Sequence, residues 1–402
     1  MNQEDFPIIK NQNIIYFDSA ATSLKPKYVL DKINYFYNYL GFNSHNHDSN
    51  LSFLLNQEIS KTRKQVQNFI NAQFESEIIF TPSATFGLNQ VAFGLRDFVF
   101  KNQEIFITKL EHSSNILPWI DLCRAKKTII KYIPLNKHYL IDLKKFLPLI
   151  TKKTKIIALN NVSNTFGYLE NIKKIIFEAK KINPNLIFVV DGTQSVSCHK
   201  IDVLNFDIDF FVFSGHKMMA STGIGVLYGK KHWLKKIKPL LSGGGMWEYD
   251  DKDLLLDYNY KQAPAKFEAG SLNSQGIFSL GAALTYLKKI GITKIRNYVF
   301  NLRNYCILEM KKHLGSKIII YNCYQDSSLI LFNFKTAHDH DVACWLANKH
   351  NILLRAGRLC TKFELDLLKT KGLLRLSFYI YNTKKEVDYF VSILKNETNF
   401  IL

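Results

Sequence analysis

Glycine and proline are scarce in this chain, 19 and 9 of 402 residues. That excludes a collagen-like repeat and a proline- or glycine-rich linker polymer. Acidic residues are also short, 34 against 53 Lys and Arg, for a net charge of +19. No apolar run approaches the roughly 18–20 residues that span a bilayer. The opening Met1-Asn2-Gln3-Glu4-Asp5 lacks the basic and apolar stretches of a secretory leader. Cysteine is limited to six: Cys123, Cys198, Cys306, Cys323, Cys344 and Cys360. None forms a C-x-x-C pair, which argues against structural zinc. With no leader, a disulfide framework is not expected. Each cysteine reads first as a small buried residue, leaving room for one reactive thiol. What is abundant is hydrophobic content, 47%, with 13% aromatic. A soluble, folded, cytoplasmic protein is expected, of two to four domains at about 100–200 residues each.

A surplus of positive charge can mark a nucleic-acid binder. Here the lysine pairs are dispersed: Lys144-Lys145, Lys152-Lys153, Lys173-Lys174, Lys230-Lys231 and Lys235-Lys236. They form no tail and no arginine stripe. A basic surface that attracts an acidic partner protein or an anionic cofactor fits this distribution at least as well.

Strand-like and helix-like stretches alternate through the first 290 or so residues. Strands are expected at Ile78 to Phe80, Glu104 to Thr108, Thr128 to Ile133, Lys155 to Leu159, Leu186 to Val190, Phe210 to Phe213 and Gly225 to Tyr228. Helices are expected at Ile59 to Ile70, Leu88 to Phe93 and Ile172 to Ile182. Such alternation implies an α/β fold with a mostly parallel sheet. Residues 16–285 are expected to form this large domain, and 1–15 with 286–402 a smaller α+β domain. The latter has strand candidates at Ile318 to Tyr321, Leu329 to Phe334, Ile352 to Arg355 and Leu373 to Phe378. Asp250 to Lys266 lacks periodicity and reads as a long, functional loop.

Parallel sheets bind ligands at the carboxyl ends of their strands. Two such ends carry Asp191-Gly192-Thr193-Gln194 and Ser214-Gly215-His216-Lys217. A carboxylate closing a buried strand needs a cation nearby. Asp191 and Lys217 stand one crossover apart, so the sheet would bring them to one edge. A structural ion pair satisfies this pattern. So does pyridoxal phosphate, whose aldehyde condenses with a lysine amine and whose ring nitrogen is kept protonated by a buried acid. Its phosphate needs a turn at a helix start, and Thr81-Pro82-Ser83-Ala84-Thr85-Phe86-Gly87 supplies one.

Across nearly its whole length the chain resembles the fold-type I pyridoxal-phosphate enzymes of the class V aminotransferase group, and among them the Suf-type cysteine desulfurases. The motifs are Tyr16-Phe17-Asp18-Ser19-Ala20-Ala21, the Ala84-Thr85 turn, Glu111-His112-Ser113-Ser114-Asn115, Val162-Ser163-Asn164, the two strand-end motifs above, Phe267-Glu268-Ala269-Gly270-Ser271, Arg355-Ala356-Gly357-Arg358-Leu359-Cys360 and Arg375-Leu376-Ser377. The resemblance implies that His112 stacks on the cofactor ring. Asp191 would hold the ring nitrogen, with Asn164 and Gln194 on the hydroxyl side. Ala84, Thr85, Ser214 and His216 would surround the phosphate, and Ser271 would reach a neighbouring subunit's phosphate. Lys217 would carry the cofactor and act as base. Cys360 would be the nucleophile that accepts sulfur as a persulfide, with Arg355 and Arg358 favouring its thiolate. Arg375, with Asn164 and Arg355, would bind the carboxylate of L-cysteine.

The same resemblance implies a homodimer and a small sulfur-acceptor protein feeding iron–sulfur cluster assembly. Several residues depart from the family pattern. Asn161 stands where a histidine is common, and Arg358 and Leu359 stand where two histidines often precede the nucleophile. His45-Asn46-His47-Asp48 replaces an arginine-glycine segment. His45 and His47 lack further ligands for a metal. Two alternatives stay open: a selenocysteine lyase or other class V aminotransferase, and an inactive basic binding protein that keeps the fold.

Overall fold

The computed structural model describes residues 3–43, 49–248, 258–360 and 363–397. Among the described residues thirteen strands run in chain order: β1 (Ile15–Tyr16), β2 (Ile78–Thr81), β3 (Glu104–Ile107), β4 (Ile129–Tyr132), β5 (Thr154–Asn160), β6 (Ile187–Asp191), β7 (Phe210–Ser214), β8 (Gly225–Gly229), β9 (Ile318–Ile320), β10 (Leu329–Phe334), β11 (Ile352–Leu353), β12 (Arg355–Gly357) and β13 (Leu373–Ser377).

Seven of these form the central sheet in the order β2-β8-β7-β6-β5-β3-β4. All neighbours pair in parallel except β8, which runs against both β2 and β7. The α/β architecture with a mostly parallel sheet is as expected. Helices cover both faces, so the inner strands are apolar on both sides. Alternate residues of β6 feed opposite cores. Phe188 and Val190 join the cluster around Ile172, Ile175 and Ile176, while Ile187 and Val189 join the one around Leu88, Val91 and Trp119. Helix Ile172–Ile182 lies where the sequence puts it, opened by the Asn171 side chain on the Lys174 N–H and burying Ile172, Ile175, Ile176 and Ala179.

Two helices run longer than their apolar periodicity indicates. Helix Asn50–Ile70 starts at a Ser49 cap, and helix Ala84–Gly94 starts at a Ser83 cap. The second start is crowded. A Cβ on Gly225 would come within 2.7 Å of the Ser83 backbone, so glycine at the head of β8 lets that strand lie beside the turn.

The C-terminal part carries an antiparallel sheet in the order β12-β13-β10-β9. The single strand expected at Ile352 to Arg355 is divided in two. Ile352 and Leu353 pair in parallel with Ile15 and Tyr16, and after Leu354 the chain changes neighbour so that Arg355–Gly357 pairs with β13. The segment after β1 stays in this neighbourhood: Phe17 accepts from the Ser377 N–H, and Tyr16 accepts from Asn382 Nδ2.

Cys198 and Cys306 are buried, as expected. Cys323 and Cys344 are exposed, a correction to the reading of every cysteine but one as interior. Cys344 rides the outer face of helix Asp339–His350, where periodicity alone did not mark it as solvent-facing. Among the described residues no helix is long and apolar enough to cross a membrane. His45 and His47, and residues 250–257 of the expected long loop, lie outside the described residues.

Candidate active site

The parallel strands deliver their last residues to one edge. Asn160 at the end of β5 is in register with Asp191 at the end of β6, and Asp191 with Val212 of β7. The backbone just beyond Asp191 can hug the sheet because residue 192 is glycine. A Cβ there would stand 1.9 Å from the Phe211 ring. Above this edge opens a cavity of about 300 Å³, the scale of a small-molecule site. Ala84, Thr85, His112, Asn164, Asp191, Gln194, Ser214, His216, Lys217, Arg355, Cys360 and Arg375 all border it. Ser271 does not; it stands exposed on the turn after Glu268. That turn is tied down instead by a buried ion pair, Arg63 to Glu268, with N–O distances of 2.8 and 2.9 Å. Asn161 is also outside the cavity wall. Its N–H donates to the Asp191 carbonyl, and its side chain donates to the Glu170 carbonyl.

The floor is a network of short polar contacts. Asp191 Oδ1 accepts from the Thr193 N–H at 2.9 Å, and Gln194 Nε2 donates to the Ala20 carbonyl at 3.0 Å. Ser214 Oγ accepts the Ala84 N–H at 2.9 Å, so the start of helix Ala84–Gly94 is docked onto the end of β7. His112 Nδ1 accepts the Ser114 N–H at 3.2 Å, and Ser114 Oγ lies 2.8 Å from Thr85 Oγ1. The imidazole proton therefore sits on Nε2. Burial, then the charge of Lys217, push the His112 pKa down and favour the neutral ring.

Beneath His112 sits Glu111, fully buried. It accepts from Thr108 Oγ1, the Asn160 N–H, Asn160 Nδ2 and Asn115 Nδ2 at 2.6–3.0 Å. Burial pushes its pKa up to about 8 against the pull of those donors. Lys217 stands half-buried on the cavity wall. Desolvation, then the charge of Arg375, push its amine down to about 8, with Asp191 and Cys360 pulling the other way.

Arg375 enters from β13. Its guanidinium donates to the Asn164 carbonyl at 2.8 Å and to Asp18 Oδ1 at 3.1 Å. Burial raises the Asp18 pKa even against the pull of Arg375. Cys360 is exposed at the mouth of the cavity. Glu111, Ser114, Thr193 and Asp18 take part although sequence reasoning assigned them no role. All four fall inside quoted motifs, but nothing in the motif spacing says which of their side chains turn inward.

The donor set suits an anionic, aldehyde-bearing cofactor such as the pyridoxal phosphate implied above. Three buried polar atoms on or near the wall have no partner: His216 Nδ1, Thr193 Oγ1 and Arg375 Nε. Unsatisfied buried groups are rare unless a ligand takes them up. A helix N-terminus, a lysine amine and a strand-end carboxylate converge on the same space.

The sequence from residue 15 to 390 matches the family model described as aminotransferase class-V. The chain is 38% identical to the cysteine desulfurase of Wigglesworthia glossinidia brevipalpis, covering 99% of this chain and 97% of that protein. It is 39% identical to the probable cysteine desulfurase of Ureaplasma parvum serovar 3, over 97% and 95% of the two. Among solved structures, the cysteine desulfurase CsdA of Escherichia coli, in an S-sulfonic acid form, superposes with a TM-score of 0.90 at 32% identity, covering all of both chains.

Proposed function

On the premise that the chain belongs to the aminotransferase class-V family, we propose that its cavity holds pyridoxal phosphate and converts L-cysteine to L-alanine, leaving the sulfur on Cys360. It is a cysteine desulfurase. One observation carries the residue assignment: the amine of Lys217, the guanidinium of Arg375 and the thiol of Cys360 open on one cavity floored by Asp191.

Bound there, the cofactor supplies an electron sink for negative charge at the substrate Cα. Lys217 would hold it covalently, and Asp191 would keep its ring nitrogen protonated. His112 would lie on the ring face, with Asn164 and Gln194 toward the ring hydroxyl. Ala84, Thr85, Ser214 and His216 would line the phosphate end, where His216 Nδ1 awaits a partner. The Arg375 fork would bind the substrate carboxylate, Nε being unpartnered already.

Once displaced by the substrate amine, Lys217 can take the Cα proton, since an amine with a pKa near 8 is partly neutral at physiological pH. The Cys360 thiolate then attacks the substrate sulfur. An S–S bond forms, the Cβ–S bond breaks, and its electron pair goes to the substrate carbon. That carbon takes up a proton, Lys217 returns one to Cα, and alanine leaves while Cys360 keeps the sulfur as a persulfide. Arg355 shares the cavity wall with Cys360 and adds positive charge beside the thiolate.

The further reading follows the chemistry. A persulfide is of use only if handed on, and exposure of Cys360 suits transfer to a small acceptor protein for iron–sulfur assembly, in the manner of Suf-type enzymes in the cytoplasm. Residues 16–285 act as the cofactor-holding domain, with 1–15 and 286–402 as the part that carries Cys360. A homodimer is supported by exposed apolar side chains on two neighbouring segments, Tyr35, Tyr37, Tyr39 and Phe42, and Phe53 and Leu54, at 44–65% exposure. The exposed Ser271 turn would reach the partner's site.

The test is a visible spectrum of the purified protein, followed by L-cysteine with a reductant and assays of alanine and sulfide. We expect a cofactor band and both products, and loss of turnover in Cys360→Ala. A Cys360→Ala protein at full rate overturns the assignment of Cys360. A band without sulfide moves the chemistry to transamination or selenocysteine.

A further inference from the structure

The turn that presents Cys360 is bent in a way its sequence does not favour. Leu359 and Cys360 both have left-handed backbones, with φ of 52° and 58°, two residues after Gly357 at 95°. Non-glycine residues avoid that region unless their surroundings impose it. Three contacts impose it here. Ser113 Oγ donates to the Cys360 carbonyl at 2.8 Å, with the Ser113 N–H on the same oxygen at 3.4 Å. Asn164 Nδ2 donates to the Leu359 carbonyl at 3.1 Å. The Leu359 side chain is buried in an apolar cluster with Leu110, Phe166, Leu331 and Leu373.

We propose that Ser113 and Leu359 are positioning residues that lock the Cys360 turn over the cavity, Ser113 by clamping the Cys360 carbonyl and Leu359 by anchoring its neighbour in the core. The inference rests on the reading of Cys360 as the sulfur acceptor. It gives the departure at position 359 a purpose: an apolar plug, rather than a polar ring, fixes the turn. It also joins the turn to the rest of the site. Ser113 follows His112 directly, and Asn164 holds Arg375 through its carbonyl and Leu359 through its amide. Releasing the turn slows sulfur transfer more than substrate binding, because Ser113 is off the cavity wall and the Leu359 side chain packs into the apolar cluster.

The experiment compares holoenzymes carrying Ser113→Ala, Ser113→Thr and Leu359→Ala. Three readouts are taken: the cofactor absorbance, kcat and KM for L-cysteine, and amide hydrogen exchange of the peptide spanning 357–360. A single hydrogen bond of this kind shifts an equilibrium roughly fivefold. In Ser113→Ala we expect kcat to fall by about that factor at unchanged KM and unchanged absorbance, with exchange faster by a similar factor. Ser113→Thr restores both. Leu359→Ala reproduces the same signature more strongly. Wild-type kcat and exchange in Ser113→Ala overturn the proposal. So does a loss of cofactor absorbance in Ser113→Ala beside a silent Leu359→Ala, since Ser113 would then act on the cofactor. Failure of the underlying reading looks different: Cys360→Ala itself would turn over at full rate.

Discussion

Glu268→Gln is a near-isosteric change with a large expected cost. Glu268 faces Arg63 through two parallel bonds of 2.8 and 2.9 Å, and the two side chains are only 5% and 10% exposed. The glutamine keeps an oxygen for the Phe80 N–H, which Glu268 Oε1 accepts at 2.7 Å. Arg63 keeps the Ile78 carbonyl and its place over the Phe80 ring. What disappears is the countercharge. Removing one partner of a buried pair costs about 3–5 kcal/mol. The retained contacts argue for the lower figure, about 3 kcal/mol. Replacing the pair with well-packed apolar side chains is often nearly neutral. Arg63→Met together with Glu268→Gln should therefore cost less than the two single changes summed, with a coupling of at least about 2 kcal/mol. Urea unfolding followed by circular dichroism, at fixed protein and cofactor concentration, measures all four corners of the cycle. A Glu268→Gln protein within about 0.5 kcal/mol of the parent, or strictly additive changes, refutes the reasoning.

Two further outcomes follow from the site. Arg375→Lys keeps the charge and loses the planar fork; a charge-assisted contact worth about 1.5–3 kcal/mol lowers kcat/KM for L-cysteine roughly 10- to 150-fold while the cofactor band persists, and steady-state kinetics checks it. In cofactor-free protein, uptake of pyridoxal phosphate by Lys217 needs the neutral amine, which is depleted as pH falls below its pKa. The uptake rate, followed by absorbance, rises with pH through a midpoint near 8, and a midpoint above 10 refutes the desolvated setting of that amine.

The central sheet was legible because its strands are short apolar runs punctuated by turns, and each strand from β2 to β8 begins and ends within a residue or so of its expected bounds. Every cofactor-side candidate but Ser271 borders one cavity, because strand-end motifs are brought together by parallel pairing alone. Strand β12 was less legible. The change of neighbour after Leu354 depends on pairing with Ile15 and Tyr16, more than 330 residues away, which no local pattern encodes. The ion pair of Arg375 with Asp18 was hidden for the same reason, since each residue satisfies a motif of its own. Glu111 reads as one more charge among 34 acidic residues until Asn160 and Asn115 are seen to close around it.

That carboxylate has a consequence for how this protein can vary. Thr108, Asn115 and Asn160 each spend a donor on Glu111, and Trp119 in turn donates to Asn115 Oδ1 at 3.0 Å. An apolar replacement at any one of these positions strands a buried polar atom, at about 1–3 kcal/mol. The five positions thus behave as a single heritable unit, in which one substitution is tolerated only when another accompanies it. In a library that randomises them together, survivors should carry paired or higher-order changes, with single changes under-represented. Neighbouring positions facing solvent, such as Leu117, should drift freely. His112, which sits on this block, then keeps its bearing over the cavity while the outer surface of the enzyme diverges around it.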